Sequence, residues 1–436
     1  MLVILLILLL FVETYIFIKK KGILHPAFWF ITPWIFCVLF TLIDYYHVVV
    51  TIRDEAYIIV LCGIIGYLIG AFSPVKITLN ANKSNYISTY SYRKMWVYII
   101  LTLSFIVNAI LLLTTISFLR SGIQYGAIRE LYFTNGSGYN AAGNGFFASK
   151  LLAVINSLIS TPFTYVTSIV VIDNFFQRKL SLLYSAFAAI DVLFYIIATG
   201  GRLIILLIAV TAIVLAKYYK FVIPKYIIKR MWQIIAVIAI ILVVITVRRQ
   251  TEDYYRYEQI SDAYSYFNIT IPLLSHWAEK VDALKLHSNG IGFFDGIVQL
   301  FDTFVFRRIG ITSQTINDFS ELISDIQSKK LEVYHLHWYN AYVSLFLYFY
   351  ADFRYIGVVV GSFIFGFSSK EVYRHAYLLS QTEYILLYVI FIQANFMSFI
   401  RWHFGSLSTI IQLIALLLIV KPEREYATQL YVEDVI

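Results

Sequence analysis

Along this chain, apolar runs long enough to cross a bilayer as helices alternate with short polar breaks. The runs are 2–18, 27–44, 56–73, 95–117, 150–172, 181–199, 203–218 and 231–247, then 355–369, 383–399 and 404–420. This alternation constrains the fold more than any single motif. A hydrocarbon core about 30 Å thick asks for ~20 apolar residues per helix. Inside lipid only helices and closed barrels satisfy their own backbone, and these runs have helical length. With 60% of the 436 residues hydrophobic and 14% charged, a water-soluble globule is excluded. The expectation is an all-α polytopic membrane protein with about 11–12 transmembrane helices and one long external loop.

Basic residues orient the spans. Lys19–Lys21, then Lys76, Lys83, Arg93 and Lys94, then Arg178 and Lys179, then the run from Lys217 to Arg230 follow the first, third, fifth and seventh runs. The positive-inside rule makes those loops cytoplasmic and the N-terminus external. The net charge of +8 sits where topology requires it, so nucleic acid is not an implied partner; the lipid bilayer is. The first run resembles a secretory signal only superficially, lacking a basic stretch before it and a small-residue cleavage site after it. Cys37 and Cys62 lie inside apolar runs, so neither a disulfide framework nor a thiolate metal site is expected. No repeat or linker divides the chain. It reads as a single membrane domain over 1–436: eight spans in 1–247, a large external loop at 248–337, a segment at 338–353 and three last spans in 355–420.

That segment belongs to the stretch YHLHWYNAYVSLFLYFYADFRYIG, residues 334–357. Placed on a helix, His337, Asn340, Ser344, Tyr348 and Asp352 follow steps of three or four and form one polar stripe. A full crossing at 338–353 would send Lys370, Arg374, Lys421 and Arg424 outside. A re-entrant or cavity-lining helix keeps them cytoplasmic and gives the polar stripe a wet surface to line.

The same topology turns a set of arginines outward: Arg129 before the glycine- and asparagine-rich YFTNGSGYNAAGNG, Arg202 after TGG, Arg249 at the start of the long loop, Arg307 and Arg308 later in it, and Arg401 in SFIRWHFG. Guanidinium groups clasp phosphate oxygens bidentately and stay charged whatever their burial. Several converging on one cavity would suit a diphosphate. A lone arginine between apolar runs, as at Arg202, needs a partner or a ligand. Asp191 shares its helix face but lies about 16 Å away along the axis. His335 and His337 are two residues apart, so a helix cannot aim both at one point. One of them is the candidate general base, for which imidazole is suited near neutral pH. No HExxH or CxxC occurs, and no metal or cofactor is expected.

Taken in order, several stretches resemble the bacterial oligosaccharide repeat-unit polymerases, the Wzy-type O-antigen and capsule polymerases. HPAFWFITPWIFCVLFTL is similar to their second span, ATGGRLIILLIAV to a small–small–Arg turn, and YSYFNITIPLLSHW with NGIGFFDGIVQLF to their loop stretches. Asn340, Asp352, Phe353 and Gly357 follow the family's asparagine, its Asp–Phe–Gly turn and a further glycine. Arg354 occupies the glycine of that turn, a departure because arginine does not readily take φ > 0. The resemblance implies a GT-C-like bundle in the bacterial cytoplasmic membrane with its active site facing outward. It also implies metal-independent glycosyl transfer from one undecaprenyl-diphosphate-linked oligosaccharide to another, beside a flippase and a chain-length regulator as candidate partners. Arg202, His337 and His335 would then be catalytic, and Arg129, Arg249, Arg307, Arg308, Asn340, Asp352 and Arg401 would bind substrate. An O-antigen ligase fits the same residues. A lipid-linked oligosaccharide flippase or other transporter is the alternative of another class, opposed by the missing internal repeat.

Overall fold

Among the described residues, the apolar runs are helical. The computed structural model describes residues 2–19, 22–76, 86–133, 146–201, 203–221, 262–311 and 313–426. Its helices begin with α1 (Leu2–Lys19), α2 (Pro26–Ile43), α3 (Asp54–Phe72) and α4 (Lys94–Arg120). Next come α5 (Tyr125–Phe133), α6 (Phe146–Ile155), α7 (Thr161–Gln177), α8 (Leu182–Thr199) and α9 (Leu203–Tyr218). After the undescribed stretch follow α10 (Asp262–Asn268), α11 (Thr270–Ala283), α12 (Ile291–Phe304), α13 (Gln314–Ser328), α14 (Ser344–Tyr373), α15 (Ile385–Phe396) and α16 (Leu407–Ile419). Local signals set the ends. Pro26 opens α2 behind His25, whose Nδ1 accepts from Ala27 N. Ser181 caps α8, and Gly200 stops it at φ 62°, the left-handed exit that glycine takes without strain.

Among the described residues, eight helices are long and apolar enough to cross a membrane, and the apolar α9 and α16 are shorter. The chain is therefore a helical multi-pass membrane protein. The expected run at 231–247 lies outside the described residues. The all-α expectation needs one amendment, two short antiparallel ribbons. One pairs β1 (Tyr86–Tyr92) with β4 (Val420–Tyr426), joining the segment before α4 to the end of α16. Asp173 in α7 ties this ribbon down, accepting from Tyr90 Oη at 2.7 Å and Tyr92 Oη at 2.5 Å. The other pairs β2 (Leu331–Tyr334) with β3 (His337–Tyr339). The bundle thus has a strand end, at β1–β4, and a loop end, where α10–α13 pack.

Close helix packing comes from small residues, as is usual between membrane helices. A Cβ added at Gly66 of α3 would lie 2.6 Å from Val359 O of α14, and one at Gly366 of α14 would meet Tyr67 O. Two carboxylates inside spans find partners on a neighbouring helix. Asp191 accepts from Ser104 Oγ and Asn108 Nδ2, each at 2.7 Å, so α4 supplies these partners. Glu13 accepts from Thr32 Oγ1 at 2.5 Å.

Candidate functional site

Helix α14 is two arms, broken where Phe353 and Arg354 leave helical angles. In a straight helix residues eight apart are separated by about 12 Å. Here a Cβ at Gly357 would meet Phe349 O, and one at Gly361 would lie 2.7 Å from the Phe349 ring, so the arms fold back on each other. The first arm starts deep in the bundle. Phe346 stacks on Trp34 at 4.8 Å, midway along α2, and fills the gap at Gly63, midway along α3. From there the arm rises to Arg354 at the loop end, and the second arm descends to Lys370, which reaches Ser73 O beyond the opposite end of α3 at 3.2 Å.

Arg354 makes the turn at φ 53°, the conformation that favours glycine. Its side chain holds it there: it meets Asp282 at 2.9 Å, Leu286 O at 2.9 Å and Val281 O at 3.2 Å. Contacts of this charge-assisted kind outweigh a strain of about 1–3 kcal/mol.

The deep end of the first arm fixes a second turn, between α15 and α16. Val343 N and Ser344 N both donate to Ile400 O at 3.1 Å, and Ser344 bridges to Arg401. This seats Arg401 and His403 on one cavity of about 580 Å³. Tyr132, Asn156 and Tyr165 line one side, Gln299 and Asp302 of α12 another, and Gln327 of α13 lies at the rim. A π-turn at Asn156–Ser160 adds to that first wall, a distortion frequent at functional sites. Three nitrogens on residues that line this cavity are buried with no hydrogen-bond partner among the described residues: Arg401 Nε, His403 Nε2 and Gln412 Nε2. Such groups cost about 1–3 kcal/mol each if left unpaired, so the site is built to receive acceptors. Arg307 also lines the cavity but is held by Asp302 at 2.7 Å. Burial, with the Arg401 charge adding, pushes the His403 imidazole down to about 3, so the ring is neutral. An arginine with no carboxylate in ion-pair reach among the described residues, beside a neutral histidine and an amide, can accept an anion.

No family model, characterised protein or solved structure matches the chain.

The residues singled out in the sequence divide on this geometry. Arg307 and Arg401 meet in the cavity. Arg202 and Arg249 lie outside the described residues, although Leu203 beside the first lines the cavity. Arg129 falls on α5, which also carries Tyr132. Arg308 is exposed and is not part of the lining. The polar stripe does not form as read. His337 is in β3, and Leu336, Ala341 and Ser344 have positive φ, so no helix precedes residue 344. Cross-strand pairing of 331–334 with 337–339 overrides the helical period. The His335 side chain is 85% exposed, 3.9 Å from Glu332, and neither histidine lines the cavity. Asn340 donates to Gln327 O at the rim. Asp352 is buried and fully engaged: Oδ1 accepts from Ser288 Oγ at 2.6 Å, Gly290 N at 2.9 Å and Gly292 N at 2.8 Å, and Oδ2 accepts from Phe293 N at 2.8 Å. It caps α12, and the donors it holds are those of the helix N-terminus and Ser288. The residues missed are Gln412, Gln299 and Asp302. A lone glutamine in LSTIIQLIALLLI was the available signal, since such a run accepts a polar group only for a reason. Among the described residues no three His, Cys, Asp or Glu side chains gather to hold a metal ion.

Proposed function

We propose that this chain is a glycosyltransferase of the outer face of the bacterial cytoplasmic membrane, polymerising undecaprenyl-diphosphate-linked oligosaccharide repeat units. The observation that carries the reading is the unpartnered Arg401 Nε beside His403 Nε2 and Gln412 Nε2 in one cavity. A diphosphate supplies the acceptors these donors lack, and a cation at the leaving group stabilises the charge that develops as the glycosidic bond breaks. Loop-end charge and the strand-end lysines agree with an outward opening.

In the proposed step, a hydroxyl oxygen of the acceptor sugar attacks the anomeric carbon of the donor. The bond from that carbon to the diphosphate oxygen breaks, and lipid diphosphate leaves toward Arg401. The hydroxyl proton passes to His403 Nε2. His403 takes the role first given to His337 and His335, because it is the histidine at the cavity. Its basicity is held low first by burial and then by the Arg401 charge beside it. A bound diphosphate offsets the Arg401 part of that depression, so donor binding raises the basicity of the ring.

The test uses purified protein in detergent with one synthetic undecaprenyl-diphosphate repeat unit and a chelator. A ladder of lengthened glycans is expected from the parent, and none from Arg401→Ala at equal folded protein. A ladder undiminished in Arg401→Ala would overturn the assignment.

A further inference from the structure

Helix α12 has two faces of opposite character. Phe294, Ile297, Phe301 and Phe304 are 53%, 41%, 46% and 52% exposed, and their steps of three and four put them in one row. On the opposite side Asp295 and Gly296 are buried, while Gln299, Asp302 and Thr303 line the cavity. Four large apolar side chains exposed in a row would be a liability in water.

Two independent rulers give the depth of this row. The first is α16, whose thirteen residues, Leu407–Ile419, extend about 20 Å. Its C-terminal end lies at the strand end, where Lys421 and Glu423 mark the aqueous boundary, so its N-terminal end lies about 10 Å short of the far side of a 30 Å core. Helix α12 packs on that short end, since a Cβ at Gly296 would meet Phe404 O and lie 2.9 Å from Ser406 O. The second ruler is the first arm of α14. A Cβ at Gly292 would meet Tyr348 O, and Tyr348 lies six residues below Arg354, about 9 Å along a helix. Both put α12 about 9–10 Å inside the boundary, within the depth of an interfacial amphipathic helix. The row also continues an apolar surface already facing lipid, since Ile414 and Leu417 of α16 are 44% and 65% exposed. Exposed Arg308, just beyond α12, is placed for headgroup phosphates.

We infer that the Phe294–Ile297–Phe301–Phe304 face of α12 is a membrane-contact surface, seated in one leaflet against its acyl chains. The helix is then a wall about 10 Å thick, one helix diameter, with acyl chains on one side and the cavity on the other. The inference requires only that the protein is a membrane protein and holds whether or not the proposed polymerase activity does.

Single cysteines carrying a bimane label test this. Cys62 is replaced by serine, and Cys37 is buried. Labels go at Phe301→Cys and, as a second position should the first misfold, Ile297→Cys. Leu417→Cys on α16 is the lipid control and Glu321→Cys on α13 the aqueous control, both exposed. The protein is placed in nanodiscs whose lipids are brominated midway along the acyl chain, and separately titrated with iodide. The α12 labels should be quenched by brominated lipid at least about two-fold more than the Glu321 control, and protected from iodide like Leu417. Iodide quenching equal to the Glu321 control overturns the inference, because the face is then aqueous. Protection from both quenchers overturns it too, because protein then covers the face.

Discussion

Replacing Asp352 with asparagine keeps the shape and removes one acceptor. In the parent, Oδ1 takes three donors and Oδ2 takes Phe293 N at 2.8 Å. Asparagine can keep its oxygen on the Ser288 and Gly292 side, but its amide nitrogen then confronts the Phe293 N–H, donor against donor. Leaving that buried N–H unpaired costs about 1–3 kcal/mol, and losing a negative charge at a helix N-terminus costs about 0.3–1 kcal/mol more. The sum is about 1–4 kcal/mol, concentrated where α12 docks on α14. Hydrogen exchange read by mass spectrometry on a peptide covering 288–296 is the local measurement. A loss of about 2 kcal/mol should speed exchange there by about 30-fold, leaving peptides from α3 unchanged. Melting in detergent should fall as well. Unchanged exchange at 288–296 with an unchanged melting temperature would refute the capping argument and return Asp352 to the candidate ligands.

Gly66→Ala should destabilise the protein by about 1–3 kcal/mol by overpacking, because the new Cβ lies 2.6 Å from Val359 O; denaturation in detergent–SDS mixtures reads this. Arg354→Gly relieves the turn at φ 53° yet gives up the Asp282 pair and two carbonyl contacts. A net loss of about 1–3 kcal/mol is expected, and a more stable variant would mean the anchor contributes nothing. Asp295, buried on α12, is pushed up to about 7, mainly by burial, partly opposed by its Gln299 bond, with the Asp352 charge adding. The folded form therefore holds a proton that the unfolded chain releases above its ordinary value of 3.8. Stability should fall as pH rises from about 4 to 7 and stay low above that. Asp295→Asn should flatten this decline in melting curves taken across that range.

The apolar runs and the basic clusters between them were sufficient for the helical, multi-pass architecture, because the bilayer requires closed backbone hydrogen bonding over a set length. Arg401 was singled out in the sequence as one of several arginines suited to phosphate, and the fold places it on the cavity. Three things were decided only by tertiary structure. His337 and Asn340 share a helical period with Ser344, but pairing with 331–334 takes them into a ribbon, and periodicity cannot weigh a partner strand distant in space. Asp352 looks like a ligand group in sequence; only the fold brings the α12 amides to it. Gln412, Gln299 and Arg401 lie far apart in the chain and meet because the first arm of α14 enters only to mid-depth and holds the turn at Ile400. Solvent quality along one chain is written in its residues, whereas the convergence of single side chains depends on how separate helices stop, turn and pack.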